Sequence, residues 1–419
     1  MNAALGGAPG QGIAARLAGA EFFLKSERRL FVMIKYLFGL VLAFALICGA
    51  AHAQETAGRV RLPGAESEDA SLHGIHALDS KGLTCVTGTY FNLEENVTYG
   101  LIYVVDRQHG KVLWHKQLAD IDGAKVSEPV DCRLQDGNIF LLVNKDMGHS
   151  LSLNLEEFVE VYKFDLGGRQ LGFKKISALK YANWAVAYGF GESDGRLFVV
   201  GMEYLQENAR NRMTSALFSL PMNTDLSFGK ALERETGAYD SYSAMRVVGE
   251  DIFISGRFSP HVAKLDEDKG SLAASRIRLN GKYVWSTKFD PSDNFQAYVT
   301  DSGAQYLLDT KEHKSVLSRL DPDGKPAGRV AYSSRYCGAD AFVVAADRLF
   351  AVRSKCAKDD SHARSVVSID SFSGAEKLVT AGDLQPDVIA PLPDGLGVIG
   401  RDAKKQRYLQ ALPAATLQP

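Results

Sequence analysis

Beyond residue 54 the apolar residues fall in short strand-length runs, such as Leu101-Ile-Tyr-Val-Val105, Leu197-Phe-Val-Val200 and Ala341-Phe-Val-Val344, with no sustained helical period between them. Runs rich in Val, Ile, Phe and Tyr and bounded by Asp and Gly predict β-strands. The stretch from Gly100 to Leu118 shows the plan: a strand ends at Asp106, a turn closes on Gly110, and a second strand leaves. Asp at the start of such a turn accepts hydrogen bonds from the backbone just beyond it, and Gly takes the positive φ that closes it.

The pattern repeats. One mark, a turn running into a strand, occurs at Lys81-Gly82, Asp136-Gly137, Asp194-Gly195, Glu250-Asp251, Asp293-Asn294, Asp347-Arg348 and Asp394-Gly395. A second follows most of these, at Asp106 to Gly110, Asp165 to Gly168, Asp225 to Gly229, Asp266 to Gly270, Asp321 to Gly324 and Asp370 to Gly374. Two hairpins per unit make four strands, and units about 45 to 58 residues apart suit the blades of a β-propeller. The fold expected is therefore all-β: a propeller of about seven four-stranded antiparallel blades filling residues 54–419 as one domain. The last unit is one strand short, and Gly58-Arg-Val-Arg-Leu62 is expected to supply the missing strand and close the ring.

The N-terminus changes the picture of compartment. Lys35 precedes an apolar run from Tyr36 to Cys48 and then Gly-Ala-Ala51-His-Ala53, a small-x-small site. That order reads as a cleaved secretory signal within residues 1–53, with the start at Met33 and residues 1–32 an upstream extension. A periplasmic or secreted protein is expected, a monomer without a membrane anchor after cleavage. With 48 Lys and Arg against 50 Asp and Glu, no global field gathers nucleic acid.

Four cysteines follow the signal. Cys337 and Cys356 belong to one unit and the same loop-bearing face, and their pairing is expected; Cys85 and Cys132 fall on strands of neighbouring units, bridged or simply buried. The segment Leu101-Ile-Tyr-Val-Val-Asp106-x-x-x-Gly110-Lys-Val-Leu-Trp114 resembles the repeat of pyrroloquinoline-quinone-type (quinoprotein-dehydrogenase-like) propellers, which implies the fold class rather than an activity. The dehydrogenases share an adjacent cysteine pair and a calcium site, and no Cys-Cys occurs in this sequence.

Candidate chemistry is sparse. His73-Gly-Ile-His76 lacks the helical Glu of a zinc hydrolase, and Asp321-Pro-Asp323-Gly324 and Asp266-Glu-Asp268-Lys-Gly270 lack the distal Glu of a calcium loop, so no metal, cofactor or catalytic residue is assigned. The longest inserts, Asn92 to Asn96, Asn144 to Glu156, Glu203 to Arg212 and Ser354 to His362, are expected on one face. Tyr181, Trp184, Tyr239, Tyr242, Tyr283, Trp285, Tyr332 and Tyr336 recur before successive marks, with Asp240, Arg246, Arg335 and Asp340 among them. Two readings stay open for them: a recognition rim at the channel mouth, or packing between blades. The function expected is binding or scaffolding of a protein, peptide or small ligand on the loop-bearing face. The alternative is a propeller enzyme, a quinone-dependent dehydrogenase or a hydrolase, with its site at the mouth.

Overall fold

The computed structural model describes residues 59–417 except 119–122, 149–156, 180–184, 208–211, 236–237, 260–270, 290–294, 312, 356–363 and 380–382. The strands are, in order, β1 (Arg59–Arg61), β2 (Ala70–Ala77), β3 (Leu83–Asn92), β4 (Val97–Asp106), β5 (Lys111–Leu118), β6 (Val126–Gln135), β7 (Asn138–Asp146), β8 (Glu157–Asp165), β9 (Gln170–Lys175), β10 (Ala185–Ser193), β11 (Arg196–Glu207), β12 (Arg212–Met222), β13 (Leu232–Glu235) and β14 (Ala238–Val248). The second half continues with β15 (Asp251–Ser259), β16 (Ser271–Arg278), β17 (Tyr283–Phe289), β18 (Phe295–Val299), β19 (Gln305–Lys311), β20 (Lys314–Leu320), β21 (Pro326–Ser333), β22 (Tyr336–Ala345), β23 (Arg348–Lys355), β24 (Arg364–Ile369), β25 (Glu376–Val379), β26 (Gln385–Leu392), β27 (Gly395–Arg401) and β28 (Arg407–Pro413).

The turn chemistry explains the antiparallel order. Asp136-Gly137 and Asp194-Gly195 both have positive φ at each residue, the two-residue hairpin turn that matches strand twist. Ala346-Asp347 adopts the same conformation without a glycine. At the second mark, Asp165, Asp321 and Asp370 each accept backbone N–H bonds from residues two to four further on. The Arg169 amide, together with its guanidinium, holds the Asp165 carboxyl below its ordinary range, and the Ser373 amide and hydroxyl do the same for Asp370.

Five sheets are separate four-stranded blades: β10–β13, β14–β17, β18–β21, β22–β25, and β26–β28 with β1. The expectation of seven such blades is corrected by the remaining strands, because β2–β9 form one eight-stranded sheet. There β4 and β6 pair in parallel at Thr98 and Val126, and the Thr98 N–H donates to the Lys125 carbonyl at 2.7 Å. The joint is tied a second time by a disulfide between Cys85 on β3 and Cys132 on β6, both fully buried with Cα atoms 6.4 Å apart. The first strands, β2, β6, β10, β14, β18, β22 and β26, adjoin in chain order and β26 returns to β2, so the sheets surround a common axis.

Buried side chains fill the seams between these strands. Asp131 on β6 is 6% exposed; its Oδ1 lies 3.0 Å from His76 Nδ1 on β2, and its Oδ2 accepts the Phe190 N–H of β10 at 2.7 Å. Burial alone would raise its pKa, but Arg133, His76 and the Phe190 amide outweigh that and lower it to about 2. Gly189 permits the approach, since a Cβ there would lie 3.1 Å from Asp131 Oδ2. Asn144 on β7 bonds both the N–H and the carbonyl of Ala187 on β10, at 2.8 and 3.0 Å.

Outer strands latch onto the turn before a later outer strand. Trp114 Nε1 on β5 donates to the Leu166 carbonyl and Trp285 Nε1 on β17 to that of Pro322, each at 3.0 Å. Gly168, Gly324 and Gly374 lie flat against the rings of Trp114, Trp285 and Tyr332 in turn. The ring is completed by β1, which pairs antiparallel with β28 and buries Val60 beside Leu62.

Three outcomes follow from these contacts. Deleting residues 54–63 removes two buried aliphatic side chains, worth about 4 kcal/mol, and thermal denaturation should show a fall of several degrees in Tm. Gly168→Ala and Gly324→Ala combine a positive φ with a Cβ pressed on an indole ring, whereas Gly110→Ala meets only the φ cost. Urea titrations should therefore rank both at least ~1 kcal/mol less stable than Gly110→Ala. Because the folded pKa of Asp131 is depressed, its contribution is present at neutral pH and lost as pH falls from about 4 through about 2. Asp131→Asn should thus cost ~2 kcal/mol at pH 7, with the gap to the parent closing toward pH 2 in parallel denaturation series.

Candidate functional site at the channel mouth

Most first strands carry a β-bulge near the end that leads in from the long connections. The register slips between Leu72 and Gly74 on β2, Pro129 and Asp131 on β6, Ala187 and Gly189 on β10, Ala339 and Ala341 on β22, and Pro386 and Val388 on β26. A bulge releases one residue from the ladder and re-aims its side chain. The residues so released are His73, Val130, Tyr188, Asp340 and Asp387. His73 Nε2 reaches the Pro129 carbonyl of the next first strand at 2.8 Å.

Asp340 and Asp387 anchor a charged array across the β22–β25 and β26–β28 blades. Arg364, the first residue of β24, places Nε 3.1 Å from Asp340 Oδ2 and Nη1 3.3 Å from Asp387 Oδ1. Arg401, the last residue of β27, grips Asp387 with two nitrogens, each at 3.1 Å. The Ser354 hydroxyl donates to Asp340 at 3.3 Å. Arg364 and Asp340 remain about a third exposed, at 35% and 38%, so the array meets solvent.

Behind it lies a further cation. Arg407 pairs across the ladder with Arg401 and is only 5% exposed, and its Nη1 is buried without a hydrogen-bond partner. Burial lowers its pKa, Asp387 opposes that shift and Arg401 adds to it. A guanidinium keeps its proton in a protein, so three arginines share two aspartates here and the local charge is positive. A second stretch is acidic: burial, then Asp146 and Glu128, raise the pKa of Glu157 at the start of β8. Glu128 itself is exposed on the first strand β6.

This arrangement recognises charge. Arg364 and Arg401 offer planar, paired donors suited to carboxylate or phosphate, and the two aspartates suit a basic group beside it. Among the described residues no three His, Cys, Asp or Glu side chains converge as a metal site would require.

Of the residues singled out from sequence, Asp340 stands in the array and Arg335 is exposed at the start of β22, its guanidinium 5.2 Å from the Tyr336 ring centroid. Tyr336 itself is buried. Arg246 lies at the far end of β14, paired with Asp301 and bonded to the Val299 carbonyl, away from the mouth. Tyr283 and Trp285 are on β17, the outermost strand of its blade, and Tyr332 is likewise on the outer strand β21, its ring against Gly374. These three pack between blades rather than rim the channel, because they lie on fourth strands and not on the connections into first ones. Tyr239, Asp240 and Tyr242 lie on β14, where side chains are outside the described ones, as are Tyr181, Trp184, Cys356 and the Cys337 side chain.

Asp387, Arg364, Arg401 and Arg407 escaped sequence reasoning. A faint signal exists, since in Glu128-Pro-Val-Asp131 and Gln385-Pro-Asp387 a proline sits one place before the released residue, with an acid one or two places after the proline.

No family model matches the chain, and no curated protein is similar to it by sequence. Among solved structures it is similar to the β-propeller domain of the Trilobed protease from Pyrococcus furiosus, at 14% identity and a TM-score of 0.50, over 82% of this chain and 93% of that one. It also matches the Dos1 propeller, at 12% identity and a TM-score of 0.48, over 82% and 79% of the two chains. The acylaminoacyl peptidase of Pyrococcus horikoshii matches at 13% identity and a TM-score of 0.47, and the chain spans about half of that protein's length, 49%. Identity this low concerns architecture alone, and the Trilobed protease domain shows that architecture to be a β-propeller.

Proposed function

We propose that this propeller is an exported binding or scaffold protein that recognises a protein, peptide or small ligand on the face carrying its long connections. The observation that supports this most is the array of Asp340, Arg364, Asp387 and Arg401, partly exposed and built from the ends of several different strands. Rigid strands hold these groups in place before any partner arrives, so little ordering entropy is lost on binding. Charge of both signs within one array gives register and discrimination more than raw affinity. Export rests on the signal-like segment from Lys35 to Ala53.

Photo-crosslinking tests the face. A crosslinker placed at Ser354 or Lys404 should capture a defined partner, whereas one at Asn138 or Arg196, beside the turns at the other end of the blades, should not. Arg364→Glu should cut capture about tenfold, as reversal of a mouth charge does. Equal capture from both ends would remove the assignment. Mapping of the mature N-terminus close to Gln54 in a periplasmic or secreted fraction checks export; an intact N-terminus in the cytoplasm would remove it.

A further inference from the structure

Two neighbouring seams that occupy the same register are filled in opposite ways. In the seam between the β18–β21 and β22–β25 blades, Arg353 has no exposed surface. It donates to Tyr332 Oη at 2.9 Å, Ser315 Oγ at 3.2 Å and Glu376 Oε1 at 2.8 Å. One seam earlier, between the β14–β17 and β18–β21 blades, Leu272 pairs with Phe289 where the later seam pairs Ser315 with Tyr332. Asp309, opposite Phe295, takes the place of Arg353, opposite Ala339. A long polar plug is thus replaced by two apolar side chains and a short acid. The core beneath is built partly from Ala274 and Ala297, which cannot rise to fill the space. What remains is a crevice of about 370 Å³, at the small end of the range for organic ligands.

We propose that this crevice binds a small organic anion with an apolar body and a single acidic head group. Its lining is mixed: Leu272 and Phe289 on one side and Phe295, Leu307 and Val316 on the other are apolar, and Ser318 stands among the polar groups. Its cations, Lys288 and Arg329, both stand exposed on the outermost strands β17 and β21. Asp309 lies further in, on the second strand β19, and repels a second acidic group at that end. Lys288 and Asp309 each already make another interaction, and their charge acts on a ligand in addition to it. The ligand therefore enters apolar end first and leaves its head group at the outer rim. The apolar area it buries drives binding, and the two cations select the charge.

Calorimetric titration of the full chain with three eight-carbon probes tests this: octanoate, 1-octanol and octyltrimethylammonium. Octanoate should bind, octanol about tenfold more weakly, and the cation not measurably. The double variant Lys288→Glu/Arg329→Glu changes only exposed side chains and should weaken octanoate about tenfold or more at an unchanged Tm. Val316→Trp, which fills the crevice, should abolish binding. Absence of octanoate binding, equal affinity for all three probes, or binding unaltered in the double variant would overturn the proposal. The mouth array plays no part in this site, so Arg364→Glu should leave octanoate affinity unchanged; a loss there would overturn the placement.

Discussion

A buried carboxylate shared by three first strands is the constraint on which the ring depends. First strands in such a fold are sheet edges turned inward, with backbone groups that no ladder satisfies. Asp131 accepts the Phe190 amide of one neighbour while facing the His76 imidazole of the other. Asn144 serves the same purpose for Ala187. Adjacent strands are thereby set at fixed distances by hydrogen-bonding side chains, and the apolar seams outside them pack around that spacing. Loss of such a partner leaves buried donors without acceptors, which costs more than the bond itself is worth.

The same device carries function outward. Bulges on most first strands point the freed residues away from the ladder, and two of these, Asp340 and Asp387, are met by arginines from the third strand of one blade and the second of the next. The charged mouth is therefore an extension of blade geometry and inherits its rigidity. The eight-stranded β2–β9 sheet, fastened at Thr98 and by the Cys85–Cys132 bridge, adjoins the β26 blade and carries Glu128, Asp146 and Glu157, whose charges act on one another.

Much of this was legible in the residues. Asp-Gly corners and strand-length apolar runs act over four or five residues, so the antiparallel hairpins, the all-β class and the closing role of Arg59–Arg61 could be read from them. The parallel touch between Thr98 and Val126 could not, because one bridge between strand ends leaves no periodic trace. Tyr283, Trp285 and Tyr332 stayed ambiguous for a related reason. An aromatic that latches the next turn and one that rims a channel share composition, and only the strand on which each lies separates them. Arg407 was invisible, since nothing local distinguishes a buried arginine from a solvated one.

The pairing of β1 with β28 joins residues some 351 positions apart, as in the bond from Arg59 to Gln410. A ribosome makes the first of these segments long before the second exists. Until residues 407–413 emerge, β27 has a bare edge, β1 has no ladder partner and the cluster around Val60 and Leu62 lacks Leu409. Contacts so distant in sequence form late and slowly, because the whole intervening chain must be ordered first. The newborn chain thus passes through a stage with open strand edges, in which it is most exposed to self-association and most in need of protection.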